Sequence, residues 1–127
     1  MDDGAIRETI TQACEVTYTH SKVFRGGGEF AVVMLRLEPT DDWSDIQFVD
    51  GVEAGSIPSH MIGGAEEGVR LAAKSGVLEG HLVVGVKVTL INGKYHDMDS
   101  NPRTFRTAAE QAFKEGLWKA GPRIVRS

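Results

Sequence analysis

From its start the chain alternates between apolar and polar positions. Over residues 6–11, Ile6, Glu8 and Ile10 fall on one side and Arg7, Thr9 and Thr11 on the other, which predicts a strand. Residues 15–24 predict a second, with Val16 and Tyr18 opposite Thr17 and Thr19. Residues 30–37 are a strongly apolar third, and the glycines between the two make them a hairpin. An acidic loop containing Pro39 leads to a weaker strand over residues 46–54. The period then changes. Ile62, Ala65, Val69, Ala72 and Ala73 recur at helical spacing, which predicts a helix over residues 59–74, closed by Gly76 and weakened in its first turn by Gly63 and Gly64. Residues 82–91 are the clearest strand, with Val84, Val86, Val88 and Leu90 opposite Lys87 and Thr89. Ser100 or Asn101 then caps a second helix that has Pro102 in its first turn and Phe105, Ala108, Ala109, Ala112, Phe113, Leu117 and Ala120 as its apolar stripe, and Gly121-Pro122 ends it. The order predicts an α+β two-layer sandwich: a four-to-five-stranded, mostly antiparallel sheet with two helices on one face.

This pattern fills residues 5–125 without repeat or linker, so residues 1–127 are expected to form a single domain. The tight ends suggest a piece excised from a larger protein, with Met1 a cloning start. Hydrophobic residues are 41% and charged residues 25%, as in ordinary globular domains. The single cysteine, Cys14, excludes an internal disulfide, offers no metal-binding pair and fits a cytosolic setting. No apolar run reaches the roughly 18 residues of a membrane span, and the acidic start lacks the pattern of a signal peptide. The net charge of −4 argues against a nucleic-acid binder, but it is unevenly spread. Residues 1–60 hold 4 basic and 11 acidic side chains, a net of −7; residues 61–127 hold 10 and 7, a net of +3. That leaves room for a basic face on an acidic domain.

Two loops carry candidate chemistry. In the segment of residues 92–100, Asn92-Gly93 is turn chemistry, and Asp99 and Ser100 suit a helix start. Lys94, Tyr95, His96 and Asp97 are not explained that way. A cation, an aromatic ring and an imidazole in an exposed loop can stack on bases and donate to phosphates or 2′-hydroxyls. Residue types alone leave the structural and RNA-contacting readings even. The glycine hairpin, Arg25, Gly26, Gly27, Gly28 and Glu29, is more often a plain turn; bare N–H groups beside Lys22 and Arg25 also suit phosphate, though Glu29 would repel it. No Gly-Lys-Ser/Thr follows, so it is not a P-loop. His96, Asp97 and Asp99 are a weak metal signal, since no other histidine is spaced to join them. On the last helix, Arg103, Arg106, Glu110 and Lys114 share a face, with Arg106–Glu110 and Glu110–Lys114 spaced as self-pairing ions.

Several stretches taken together resemble the fourth domain of bacterial elongation factor G: Arg7-Glu8-Thr9-Ile10, Leu35-Arg36-Leu37-Glu38-Pro39, Ser75-Gly76-Val77-Leu78-Glu79-Gly80, Val86-Lys87-Val88-Thr89-Leu90, Tyr95-His96-Asp97, Ala112-Phe113-Lys114-Glu115-Gly116 and Lys119-Ala120-Gly121-Pro122. The resemblance covers about residues 5–125. It implies a ribosomal-protein-like fold with a left-handed βαβ crossover, where the general rule favours a right-handed one. It further implies a cytoplasmic, ribosome-dependent GTPase parent whose GTP and Mg sit in a different domain, so that this fragment has no cofactor, metal or catalytic residue of its own. The implied partners are the ribosomal small subunit, the tRNA and mRNA in its decoding site, and the parent's other domains, with no membrane. The implied tip is Arg25 to Glu29 together with Lys94 to Asp97, His96 standing at the family's tip histidine. The family's glycine loop usually reads Gly-Gly-Arg-Gly-Gln-Tyr-Gly-His. Here Arg25 precedes the glycines, Glu29 stands for the amide, and Gly64 takes the place of a proline. These departures suggest a paralogue, which leaves ribosome recycling open beside translocation, with ribosome protection or generic RNA binding as further alternatives.

Overall fold

The computed structural model describes residues 4–126, so the acidic start at Asp2 and Asp3 lies outside it. The elements in order are β1 (Ile6–Ile10), β2 (Cys14–Phe24), β3 (Gly27–Pro39), β4 (Gln47–Asp50), α1 (Ser59–Ala73), β5 (Val86–Lys94), α2 (Pro102–Lys119) and β6 (Pro122–Arg126). A four-stranded sheet runs in the order β2-β3-β5-β4, with β2–β3 and β3–β5 antiparallel and β4–β5 parallel. With α1 between them, β4 and β5 form the βαβ unit. The architecture is α+β, as the alternation predicts.

The alternation dictates the layers. Val33, Leu35 and Leu37 of β3 and Val86, Val88 and Leu90 of β5 are fully buried against the helices. Phe105, Ala108, Ala109, Ala112 and Phe113 of α2 and Ala65 and Val69 of α1 meet them, so both helices lie on one face of the sheet. A buried side chain of this size contributes about 1.5–3 kcal/mol by leaving water, and this core is the principal source of cohesion. The helices cross closely because α1 presents glycine at the contact. A Cβ on Gly64 would stand 2.2 Å from the Pro102 carbonyl oxygen, and one on Gly68 would stand 2.2 Å from that of Arg106. Position 64 therefore has no room for a side chain, proline included.

The remaining strands differ from expectation. β1 does not join the main sheet. It pairs antiparallel with β6, from Ile6–Arg126 to Ile10–Pro122, in a separate two-stranded sheet. β6 is too short, and opens on too poor a strand former in Pro122, to show in the alternation. Only Val125 of it is buried.

Glu8 and the loop after α1 close this end of the molecule, called the base below. Glu8 is 2% exposed, and its carboxylate accepts hydrogen bonds from the backbone N–H of Leu78 (2.9 Å), Glu79 (2.8 Å) and His81 (2.9 Å). Burial pushes the Glu8 carboxyl up, but these donors, helped by the His81 ring, outweigh it and hold its pKa below the usual value. Gly76 leaves the room this requires, since a Cβ there would lie 2.1 Å from Glu8 Oε1.

Candidate functional site

At the opposite end, called the tip below, β2 and β3 outrun the rest of the sheet. The last pair between β3 and β5 is Val32–Lys94, whereas β2 and β3 continue pairing to Phe24–Gly27. A two-stranded ribbon therefore projects beyond β5. Its turn is only Arg25 and Gly26, with Gly26 at φ 85°, a conformation that favours glycine. Gly27 and Gly28 belong to β3 and not to a flexible loop.

The segment after β5 is also more ordered than its composition suggests. Asn92 and Gly93 form no turn; they lie within β5. Met34 pairs with Asn92 but Leu35 pairs with Leu90, so Ile91 is an extra residue, a β-bulge. The bulge switches the faces of the strand. Leu90 faces the helices, whereas Asn92 and Lys94 turn to the open face opposite Met34 and Val32. Gly93 then faces inward, where a Cβ would meet the Val32 carbonyl oxygen at 2.4 Å.

Residues Tyr95 to Ser100 fold back onto the ribbon. The Phe30 N–H donates to the Asp99 carbonyl (2.9 Å), and the buried Ser100 hydroxyl donates to the Phe30 carbonyl (2.5 Å) while accepting from the His96 N–H (2.8 Å). The Asp99 carboxylate lies beside Gly28, where an added Cβ would be 3.1 Å from Oδ2. Asn101, not Ser100, caps α2: it exchanges bonds with Thr104 in a capping box. The two loops thus sit at one end of the molecule, joined at Phe30.

Arg25, Lys94, Tyr95, His96 and Asp97 are all exposed at this end. The Met98 N–H donates to His96 Nδ1 (3.3 Å), which places the proton of the neutral ring on Nε2, and Asp99 Oδ2 lies 4.0 Å from Nδ1. Glu29 is engaged by neighbours within the domain. It accepts from His20 Nε2 (2.9 Å) and from Arg103 (3.4 Å), and the His20 hydrogen bond, aided by Arg103, holds its pKa below the usual value. The carboxylate that the sequence sets awkwardly beside a phosphate site therefore already has cationic or donor neighbours. Arg106 pairs with Glu67 of α1 (3.0 Å) and not with Glu110, so the expected self-paired face holds only for Lys114–Glu110 (3.9 Å). Among the described residues, no group of three or more His, Cys, Asp or Glu is placed to hold a metal ion.

The sequence pattern of the family described as elongation factor G, domain IV, matches residues 5–121. The chain belongs to that family. It is 43% identical over 121 residues to elongation factor G of Orientia tsutsugamushi strain Ikeda, covering 95% of this chain and 17% of the relative. Identity to elongation factor G of Wolbachia pipientis subsp. Culex pipiens is 40%, again covering 95% of this chain, and 18% of the relative. A crystal structure of a protein from Thermus thermophilus superposes with a TM-score of 0.86 at 39% identity, covering 94% of this chain and 18% of that one. The chain is therefore a translation elongation factor domain, spanning under a fifth of the length of the relatives it matches. No helix among its described residues is long and apolar enough to cross a membrane.

Proposed function

We propose that this domain is the ribosome-facing arm of an elongation factor G-type protein, and that its tip enters the decoding site of the small subunit to act on tRNA and mRNA during translocation. The observation that carries the reading is the joining of two loops at one end through Phe30. It presents Arg25 at the turn of the projecting ribbon and Lys94, Tyr95 and His96 at and after the end of β5, beside the ribbon and at the same end of the domain. Their chemistry suits RNA: Lys94 and Arg25 for phosphates, the Tyr95 ring for stacking, and His96 Nε2–H as a donor to a phosphate or 2′-hydroxyl. On this reading the chain works by contact alone, in the cytoplasm. GTP hydrolysis and its Mg²⁺ belong to another domain of the parent.

The test is single-turnover translocation by the full-length parent carrying His96→Ala. Losing one charge-assisted hydrogen bond should slow translocation about tenfold, while ribosome-stimulated GTP hydrolysis stays near its normal rate. A normal translocation rate refutes the role given to His96. Equal loss of GTP hydrolysis places the defect elsewhere.

A further inference from the structure

The ribbon outruns β5, and a two-stranded hairpin with no third strand beside it is only marginally stable in water. Two anchors tie it to the body of the domain. The first is at Phe30, whose backbone N–H and C=O bond to Asp99 and Ser100. Backbone groups of a strand point sideways within the sheet, so this anchor resists splaying in the plane of the sheet. The second is at Glu29. Its side chain stands off the sheet on the same face as Ala31 and Val33, the face that the helices cover. There it meets His20 Nε2 at 2.9 Å and Arg103, in the first turn of α2, at 3.4 Å. Contacts made perpendicular to the sheet resist rocking toward or away from α2, which the Phe30 anchor does not.

Glu29 is also the outermost place for such a contact. Beyond it β3 has only Gly28 and Gly27, which lack side chains, and Lys22, Val23 and Phe24 of β2 are exposed. Lys22 stands opposite Glu29 in register but forms no ion pair among the described residues, and Asp99 lies on the other face, beside Gly28. We propose that Glu29 is a positioning residue: paired with His20 and Arg103, it fixes the pitch of the projecting ribbon against α2, so that an ionic clamp and not the apolar core sets the direction of the tip. The pitch is a property of the chain itself; only what the ribbon is aimed at rests on the reading above. The two limbs of the clamp differ. The His20 side chain is 9% exposed, so its limb is sheltered, whereas Arg103 is 72% exposed and its limb is weakened by salt. The amide that the family's glycine loop carries in place of Glu29 would accept from His20 without attracting Arg103 as a charge.

The test is backbone-amide NMR relaxation on the full chain at neutral pH and low salt. Order parameters at Lys22, Val23 and Gly28 should be near the roughly 0.85 of rigid backbone and fall below about 0.6 in Glu29→Ala, while amides of α2 and of Val16 and Leu35 keep theirs. Glu29→Gln should fall between the two. Arg103→Ala should produce a smaller drop than Glu29→Ala; it alters an exposed side chain, so it reads the clamp even if Glu29→Ala does not fold. Residual dipolar couplings of the same three amides, measured against those of α2, should shrink in the same order. Unchanged order in either alanine variant overturns the proposal. So does a loss that spreads to Val16 and Leu35, which would make Glu29 an ordinary part of the fold. A Glu29→Gln chain as rigid as the unaltered one shows that the hold is not ionic and overturns it too. These readouts use neither RNA nor ribosomes, so their failure and a failure of the translocation test are told apart.

Discussion

The base and the tip of this domain use the same kinds of residues to opposite ends. At the base, Glu8 is a charge taken out of water and surrounded by donors: three backbone N–H groups converge on it, and Gly76 gives it space. At the tip, Glu29 is tied to His20 and Arg103, but Lys94, Tyr95, His96 and Asp97 are left in solvent. The base spends its polar groups on internal satisfaction, and the tip keeps its own available. Both ends lie within the family match, yet the sequence landmarks have different physical meanings. Glu8 and the stretch Ser75 to Gly80 form one structural unit. In Tyr95-His96-Asp97 the His96 backbone and Nδ1 are tied to Met98, Asp99 and Ser100, while the three side chains stay exposed.

The contrast predicts that base substitutions lower stability and tip substitutions lower contact with partners. The largest effect is expected for Glu8→Ala, which strands three N–H donors away from water. It should cost about 3 kcal/mol in urea unfolding at neutral pH, and unchanged stability would mean that the loop after α1 finds other acceptors. The same group sets a pH dependence. Its pKa is lower in the folded state, so its stabilising contribution is complete above the unfolded value of about 4.3 and is lost as pH falls through the folded one. Glu8→Gln should flatten that part of the acid unfolding curve.

Gly76→Ala comes next, at about 2 kcal/mol, because the new methyl group meets the carboxylate. Most of that cost should vanish in the Glu8→Ala background, and strict additivity would show that the two residues act separately. Ser100→Ala should cost about 1 kcal/mol and act locally. Hydrogen exchange at Phe30 and His96 should quicken while amides around Glu8 are unaffected; faster exchange at both ends would erase the distinction between the regions. The smallest stability effect is expected for Lys94→Ala and Tyr95→Ala, within about 0.5 kcal/mol. A larger loss in either would make the tip part of the scaffold.

Strands with one buried face were legible because burial enforces a two-residue period, and the helices because it enforces a period near 3.6. β6 was not legible, since a five-residue edge strand with one buried side chain leaves too little pattern. Glu8 left a signal of another kind. A glutamate in register with Ile6 and Ile10 on an apolar face already called for buried donors, though nothing local named them, as they come from some 70 residues away. Asn92-Gly93 misled because its turn chemistry is equally at home beside a bulge, and the bulge depends on β3. Glu29 misled because its partners, His20 and Arg103, belong to other elements. In each case the missing information is long-range pairing, which local periodicity does not carry.

One consequence of α2 is mechanical. Its 18 residues make a rod about 27 Å long that begins at the tip, beside Glu29 through Arg103, and ends at the base, where the Ala120 carbonyl takes the N–H groups of Thr11 and Gln12. A hydrogen-bonded helix resists compression along its axis far better than a loop does. The two ends of the domain are thus joined by one continuous hydrogen-bonded element.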